Sequence, residues 1–247
     1  MYVPAHFAAS DLAEIGAFVD RAGSADLVTF DGTGLAATLL PVLWDRPGAG
    51  GEAGGQGDAS ASAGHEPGNL GRLLGHLARA NPQWRAAATG VPALAIVRGP
   101  QAYVSPSWYA STAEHGRTVP TWNYTTVHLS GPVRFHRDVD WLRDIVTRLT
   151  ERYEAGREGR WWVTDAPEKF IAGQLRAIVG FEMTVQRVEA KDKLSQNRTP
   201  QDRANVIAAL RAEPGPQAHE IAELMAVREA ADGATAGREP AAGLREP

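Results

Sequence analysis

Three short stretches of this sequence bring aromatic rings together with amide, hydroxyl and cationic groups. Asn81-Pro82-Gln83-Trp84-Arg85 follows Gly75-His76. Thr121-Trp122-Asn123-Tyr124 follows Ser107-Trp108-Tyr109, across a loop holding Glu114, His115, Gly116 and Arg117. Lys193-Leu194-Ser195-Gln196-Asn197-Arg198 combines two cations with Ser, Gln and Asn. Rings supply stacking area for a flat heteroaromatic ligand, and amides read its edge. Cations among hydroxyl and amide groups suit a phosphate or a polar ribityl-like chain. Pro82 fits the first turn of a short helix, where free N–H groups, aided by Arg85, attract anions. The residues by themselves therefore predict a small-molecule pocket for an anionic aromatic ligand. Each stretch also fits a plainer role. Trp84 suits a core with Asn81 capping its helix, Trp122 and Tyr124 suit a dimer interface, and Lys193–Arg198 suits a solvated turn before a helix. His76 and His128 read first as structural histidines rather than as an acid or base.

The familiar catalytic patterns are absent. There is no GxGxxG, GxxxxGK[ST], HExxH or GxSxG. The seven histidines are scattered, none paired at metal-ligand spacing, so no metal site and no dedicated catalytic residue is expected. The 247 residues include no cysteine, which excludes disulfides, iron–sulfur ligation and thiol nucleophiles and fits a reducing cytoplasm. A hydrophobic share of 43% with 22% charged residues is that of a soluble globular protein. The formal net charge of -4 argues against a strongly basic nucleic-acid binder. The N-terminus lacks the basic start and apolar run of a signal peptide, and no apolar stretch is long enough to span a membrane. The expectation is a cytoplasmic protein without membrane attachment.

Periodicity gives the elements that must position these groups. Asp11–Ala22 predicts an amphipathic helix, with Asp11 and Glu14 placed like a capping box. Ala25–Phe30 and Leu35–Trp44, separated by Asp31-Gly32-Thr33-Gly34, predict a hairpin. Residues 45–69 are mostly Gly, Ala, Ser and Pro and read as a disordered insertion. Strands are expected at Leu70–His76 and Ala93–Arg98, with a short helix over Asn81–Ala88. Another strand is expected around Val127–Phe135, interrupted at Gly131-Pro132 by a bend or sheet edge. Helices are expected at Asp138–Tyr153 and from Asp165. A last strand covers Val179–Val185, with a slip of phase near Arg187-Val188 read as a bulge. Thr199-Pro200 opens a helix that ends at Glu213–Pro216, a second helix follows, and residues 232–247 read as a flexible tail. About six strands without regular crossover helices predict an antiparallel barrel with appended helices, in the α+β class. The expected layout is a barrel domain over 1–190 and a polar motif with helices over 191–231.

At these residues the sequence resembles the PaiB family, also described as FMN-binding negative transcriptional regulators. The resemblance runs through Met1-Tyr2-Val3-Pro4, Ala37-Thr38-Leu39-Leu40-Pro41, Gly75-His76 and Ala80-Asn81-Pro82-Gln83-Trp84-Arg85. It continues through Gly99-Pro100-Gln101-Ala102-Tyr103-Val104-Ser105, Ser107-Trp108-Tyr109, Val119–Tyr124, Val127-His128, Gly180-Phe181 and Lys193–Arg198, in order, over almost all of residues 1–210. It implies an FMN-binding split β-barrel related to pyridoxamine-phosphate oxidases, a homodimer with flavin at the subunit interface, and a role as a repressor. Carried over residue by residue, it implies flavin neighbours at Thr38, His76, Asn81, Trp84, Trp108, Trp122, Asn123, Lys193, Ser195, Gln196 and Arg198. A flavin-dependent reductase or oxidase is the alternative function, and a haem-binding module on the same barrel is a further one. Direct DNA contact is doubtful, because the last helix carries Glu220, Glu223 and Glu229 against Arg228.

Overall fold

Asp11 starts the first helix in the manner its side chain dictates. In the computed structural model, which describes residues 1–47, 69–86 and 90–236, its carboxylate accepts hydrogen bonds from the amides of Ala13 and Glu14 at 2.7 and 3.3 Å. This satisfies amides that a helix start otherwise leaves unpaired. A short strand β1 (Ala8–Ala9) precedes that helix, α1 (Leu12–Ala22). The Asp31 carboxylate then gathers the amides of Thr33 and Gly34 and the Thr33 hydroxyl, all within 2.8 Å. That turn pins β2 (Ser24–Phe30) to β3 (Leu35–Asp45), antiparallel, with Phe30 opposite Leu35 and Ser24 opposite Pro41.

The later elements follow the sequence pattern closely. They are β4 (Arg72–Ala78), α2 (Gln83–Ala86), β5 (Val91–Val104), α3 (Ala110–His115), β6 (Thr121–His136), α4 (Val139–Glu154), α5 (Glu168–Arg176), β7 (Ile178–Thr184), β8 (Arg187–Lys193), α6 (Pro200–Ala212) and α7 (Pro216–Ala236). The insertion read over 45–69 lies, from 48 to 68, outside the described residues. The tail read from 232 is helical as far as Ala236, and its remainder also lies outside them.

The strands form one sheet in the order β1-β8-β6-β5-β2-β3-β4-β7, and β6 pairs again with β7. That second pairing closes a ring of β6, β5, β2, β3, β4 and β7, which is a barrel. The β2–β3, β2–β5, β3–β4, β4–β7 and β6–β7 pairs are antiparallel. Closure removes the exposed edges that an open sheet would present.

The chain divides into two compact units. The first holds Met1, Ala9–Arg98 and Thr126–Ala190; the second holds Tyr2–Ala8, Gly99–Thr125 and Lys191–Pro247. The first unit is built on the barrel core, where Leu27, Leu73, Leu129, Phe181 and Met183 are almost wholly buried and Ile15 and Val19 of α1 join them. Burying such a side chain contributes roughly 1.5–3 kcal/mol, against about 0–1 for an exposed ion pair. Outside the barrel, Ile145 and Leu149 of α4 pack on Leu43 and Leu74. Leu142, Val163, Ile171 and Leu175 join α4 to α5. The second unit has its own core, in which Val104 and Tyr109 meet Val206, Leu210, Ile221 and Met225.

Three details depart from the sequence reading. The phase slip near Arg187-Val188 is the start of an eighth strand, β8, rather than a bulge. It escaped notice because Glu189, Lys191, Asp192 and Lys193 mask the apolar alternation. The sheet has eight strands instead of about six, since β1 and β8 are short or polar. Gly131-Pro132 does not interrupt β6, which runs unbroken for 16 residues. Gly131 instead lets β7 approach: a Cβ there would lie 1.8 Å from the Thr184 carbonyl oxygen. Gly180 serves the same purpose for a helix, because its missing Cβ would sit 2.0 Å from the Trp141 ring.

Gly131→Ala should therefore destabilise the protein by about 1–3 kcal/mol, since backbone rather than a movable side chain blocks the methyl group. Gly173→Ala, in α5 with only Arg176 at 3.9 Å, should be neutral or stabilising by up to about 1 kcal/mol. Urea unfolding midpoints of the two variants check the opposite signs.

Candidate functional site

The first unit carries Thr38, His76, Asn81 and Trp84. Thr38 of β3 donates its hydroxyl to the Gln83 side-chain oxygen at 2.5 Å and accepts from the Asn81 amide at 2.9 Å. Gln83 is buried, and its amide nitrogen reaches the carbonyls of Leu27 and Ala36 and the Thr29 hydroxyl. Asn81 in turn accepts from the Gln83 backbone amide at 2.9 Å. The structure thus joins Thr38 and Asn81 directly and adds Gln83, bonded to both, which the sequence reading left out of the site. Gln83 was legible only as part of the motif, because a buried glutamine needs tertiary partners to justify it.

Trp84 lies at the edge of the barrel core, with its indole N–H donated to the Arg79 carbonyl at 2.9 Å. The guanidinium groups of Arg85 and Arg137 lie over its ring at 5.0 and 5.9 Å. His76 of β4 stands opposite Gly180 of β7. Its buried Nδ1 has no hydrogen-bond partner among the described residues, and burial pushes its pKa down.

The second unit carries the other seven residues. Asn123 of β6 is fully buried; its amide meets the Ser195 hydroxyl at 3.0 Å and the Met225 sulfur at 3.3 Å. Ser195 holds a φ of 64°, the one non-glycine residue with positive φ among the described residues. Such a conformation costs on the order of 1–3 kcal/mol and persists where surroundings fix it; the Asn123 pair is that surrounding. Gln196 closes the same turn, accepting from the Leu194 amide and donating to the Asp192 carbonyl.

Lys193 directs its amine to the Thr121 hydroxyl at 2.6 Å and the Trp122 carbonyl at 2.5 Å. Burial first, then the neighbouring charges of Lys191 and Arg198, hold its pKa below the ordinary lysine value. Trp122 itself remains 52% exposed and meets Tyr103 edge to face at 6.2 Å. Trp108 packs against the second core, and Arg198 covers the Tyr109 ring at 4.5 Å. Tyr103 was missed as a site candidate: β5 buries Ala93, Ala95 and Val97 but then Ala102 and Val104, so its alternation changes phase across Gly99-Pro100 and, carried on unbroken, would have turned Tyr103 inward.

Asp202 ties α6 to α3. It is buried and accepts from the Ser111 amide and hydroxyl at 3.0 and 2.8 Å. Burial would raise its pKa, but hydrogen bonds from Ser111, Thr199 and the Ala110 amide outweigh that and hold it low.

The donor set fits FMN. Among the residues named for it, Trp122 offers an exposed ring, and Lys193 and Arg198 offer cations with no carboxylate partner among the described residues. Thr38, Asn81, Asn123 and Gln196 spend their polar atoms mainly on each other and on backbone, so they shape the surface more than they reach outward.

Comparison with known proteins agrees. The fold is that of the flavin-binding split barrels. It is similar to the structure of the FAD and haem binding protein from Mycobacterium smegmatis, with a TM-score of 0.50 at 16% identity, covering 79% of this chain and 78% of that one. It is equally similar to the flavocytochrome Anf3 from Azotobacter vinelandii, with a TM-score of 0.50 at 15% identity, covering 82% of this chain and 78% of that one. At such identities the likeness is one of fold alone. Residues 1–187 match the sequence model of the family described as "Putative FMN-binding domain", and the chain belongs to that family, for which FMN is the cofactor. It is 33% identical over 225 residues to the Protease synthase and sporulation protein PAI 2 of Bacillus subtilis (strain 168), covering 91% of this chain and 96% of that protein. The PaiB-type resemblance read from the sequence is thereby borne out.

His76, His128 and His136 all have pKa values lowered, in each case chiefly by burial. Below the ordinary histidine value of about 6.5 the unfolded chain then binds more protons than the folded one, so stability falls as pH drops through that value. Unfolding midpoints should be lower at pH 5.5 than at pH 7.5, and His76→Gln should flatten the difference. An unchanged pH slope in that variant would assign the effect to the other two histidines.

Proposed function

We propose that this protein binds FMN as a homodimer and acts as a flavin-dependent negative regulator of gene expression without itself gripping DNA. The observation that carries the flavin reading is the exposed Trp122 beside the Lys193 amine in a family defined by FMN. Trp122 and Tyr103 offer aromatic surface to the ring system. Lys193 and Arg198 offer charge to the phosphate, with Lys193 held in direction by Thr121 and the Trp122 carbonyl. Ser195 and Gln196 hold the backbone of that turn in shape. When bound, FMN supplies the one- and two-electron chemistry; the protein orients it and limits water.

A face of the barrel supports the homodimer. Phe30, Leu35 and Leu39 are 52%, 78% and 62% exposed on the β2–β3 hairpin, where residues of one face alternate with buried ones. Val28 and Ala37 stand opposite each other between them. A contiguous apolar face of this kind marks an association site, and a second copy of the chain is the occupant that the family implies.

The C-terminal helices support indirect regulation. Glu223 and Glu229 of α7 are engaged by Arg211 and Arg203 of α6 at 2.9 and 2.8 Å. Arg203 and Arg211 are thus spent on carboxylates of the same helical hairpin rather than arrayed toward phosphates, as a groove reader needs.

Purified protein should carry a flavin absorbance spectrum or take up added FMN, and Trp122→Ala should weaken FMN binding at least tenfold in a fluorescence titration. Wild-type protein that takes up no flavin overturns the reading. Light scattering should give a dimer that Leu39→Lys converts to monomer. A promoter-DNA gel shift at low salt should show no complex; a specific complex would replace the indirect reading with a direct one.

A further inference from the structure

Two arginines of the first unit place their guanidinium groups on Trp84, and among the described residues neither forms an ion pair. Arg85 and Arg137 place their guanidinium groups over the Trp84 ring at 5.0 and 5.9 Å. Arg79 holds the same indole through its carbonyl, and its own guanidinium donates to the Arg176 carbonyl at 3.3 Å. Arg85, Arg137 and Arg176 are exposed and Arg79 is half-buried. Among the described residues none of the four forms an ion pair, although most other arginines of this unit do so: Arg46, Arg72, Arg98, Arg143, Arg148 and Arg152 each meet an Asp or Glu. The nearest carboxylate in sequence, Asp138, is occupied as the cap of α4, accepting from the Trp141 amide at 2.9 Å.

Like charges held together without counter-ions repel, and flexible side chains would normally spread apart in water. Here the electron-rich indole face offsets part of that repulsion by cation–π attraction. The guanidinium N–H groups of Arg85 and Arg137 make no hydrogen bond among the described residues and are free to meet a ligand. Guanidinium forks match the oxygens of a phosphate in paired hydrogen bonds, and preorganisation lowers the ordering cost of binding.

We propose that Arg85 and Arg137, arranged on Trp84, form a binding site for a phosphate ester or diphosphate dianion. The phosphate of a flavin nucleotide and that of a separate phosphorylated ligand share this chemistry. The site does not depend on the flavin reading, since an anion can be titrated with no flavin present.

The test is calorimetric titration of inorganic pyrophosphate into the full-length protein, with and without added FMN. Wild-type protein should bind pyrophosphate, and Arg85→Gln with Arg137→Gln should weaken it at least tenfold. The charge-matched control, Arg21→Gln with Lys169→Gln, should bind as wild type does. Arg137→Gln alone, at an exposed position, gives an intermediate loss and guards against misfolding of the double variant. If FMN displaces pyrophosphate, and the double variant loses its preference for FMN over riboflavin, the flavin phosphate is the occupant. If pyrophosphate still binds to FMN-saturated protein, the occupant is a second phosphorylated ligand. Absence of pyrophosphate binding in wild type, or equal loss in the control, overturns the proposal.

Discussion

The barrel depends on one strand changing neighbours without breaking. β6 lies beside β8 and β5 and also pairs with β7, so that Val133 stands opposite Met183 and His136 opposite Gly180. At the corner, the Gln186 amide bonds to the Ser130 carbonyl at 2.9 Å and the Thr184 carbonyl fills the space a Gly131 side chain would take. Without that approach the ring of strands stays open, and the core of Leu129, Val133, Phe181 and Met183 loses its lid. A glycine in mid-strand, costly by itself, is thus the condition for closure.

Closure also sets where polar groups can go. Gln83 sits in a buried position because the carbonyls of Leu27 and Ala36 and the hydroxyls of Thr29 and Thr38 surround it. A buried amide is tolerated only when its hydrogen bonds are made, at a net contribution of about 1 kcal/mol each and a larger cost if one is lost. This network fixes the Asn81–Arg85 segment on the barrel wall. That in turn fixes Trp84 and the arginines around it. The polar motif is therefore a positioning device as much as a contact surface.

The second unit repeats the principle with different chemistry. The Asn123–Ser195 pair and the positive φ of Ser195 lock the turn that bears Lys193 and Arg198, and the Asp202–Ser111 bonds tie the helix that follows it to α3. Lys191, buried beside Lys193, is stabilised by the Tyr2 carbonyl and by the rings of Tyr2, Phe7 and Tyr124. Burial first, and then the charges of Lys191 and Arg198, lower the affinity of Lys193 for its proton, so this corner favours an anionic neighbour.

By itself the sequence determined the local elements and the family. Asp11, Asp31, Asp138 and Thr199 each predict a cap or turn that the structure contains, since such side chains act on amides two or three residues away. The motifs around Asn81, Trp122 and Lys193 were legible for the same reason, as short contiguous runs. Only the tertiary structure decided which of those residues face inward. Asn123 and Ser195 satisfy each other across 72 residues of sequence, and Thr38 and Gln83 across 45. The polar strand β8, the role of Gly131 and the gathering of Arg137 onto Trp84 were equally hidden. Their meaning lies in contacts between distant segments, and residue type and spacing alone do not specify which distant carbonyl, ring or charge will be brought within reach.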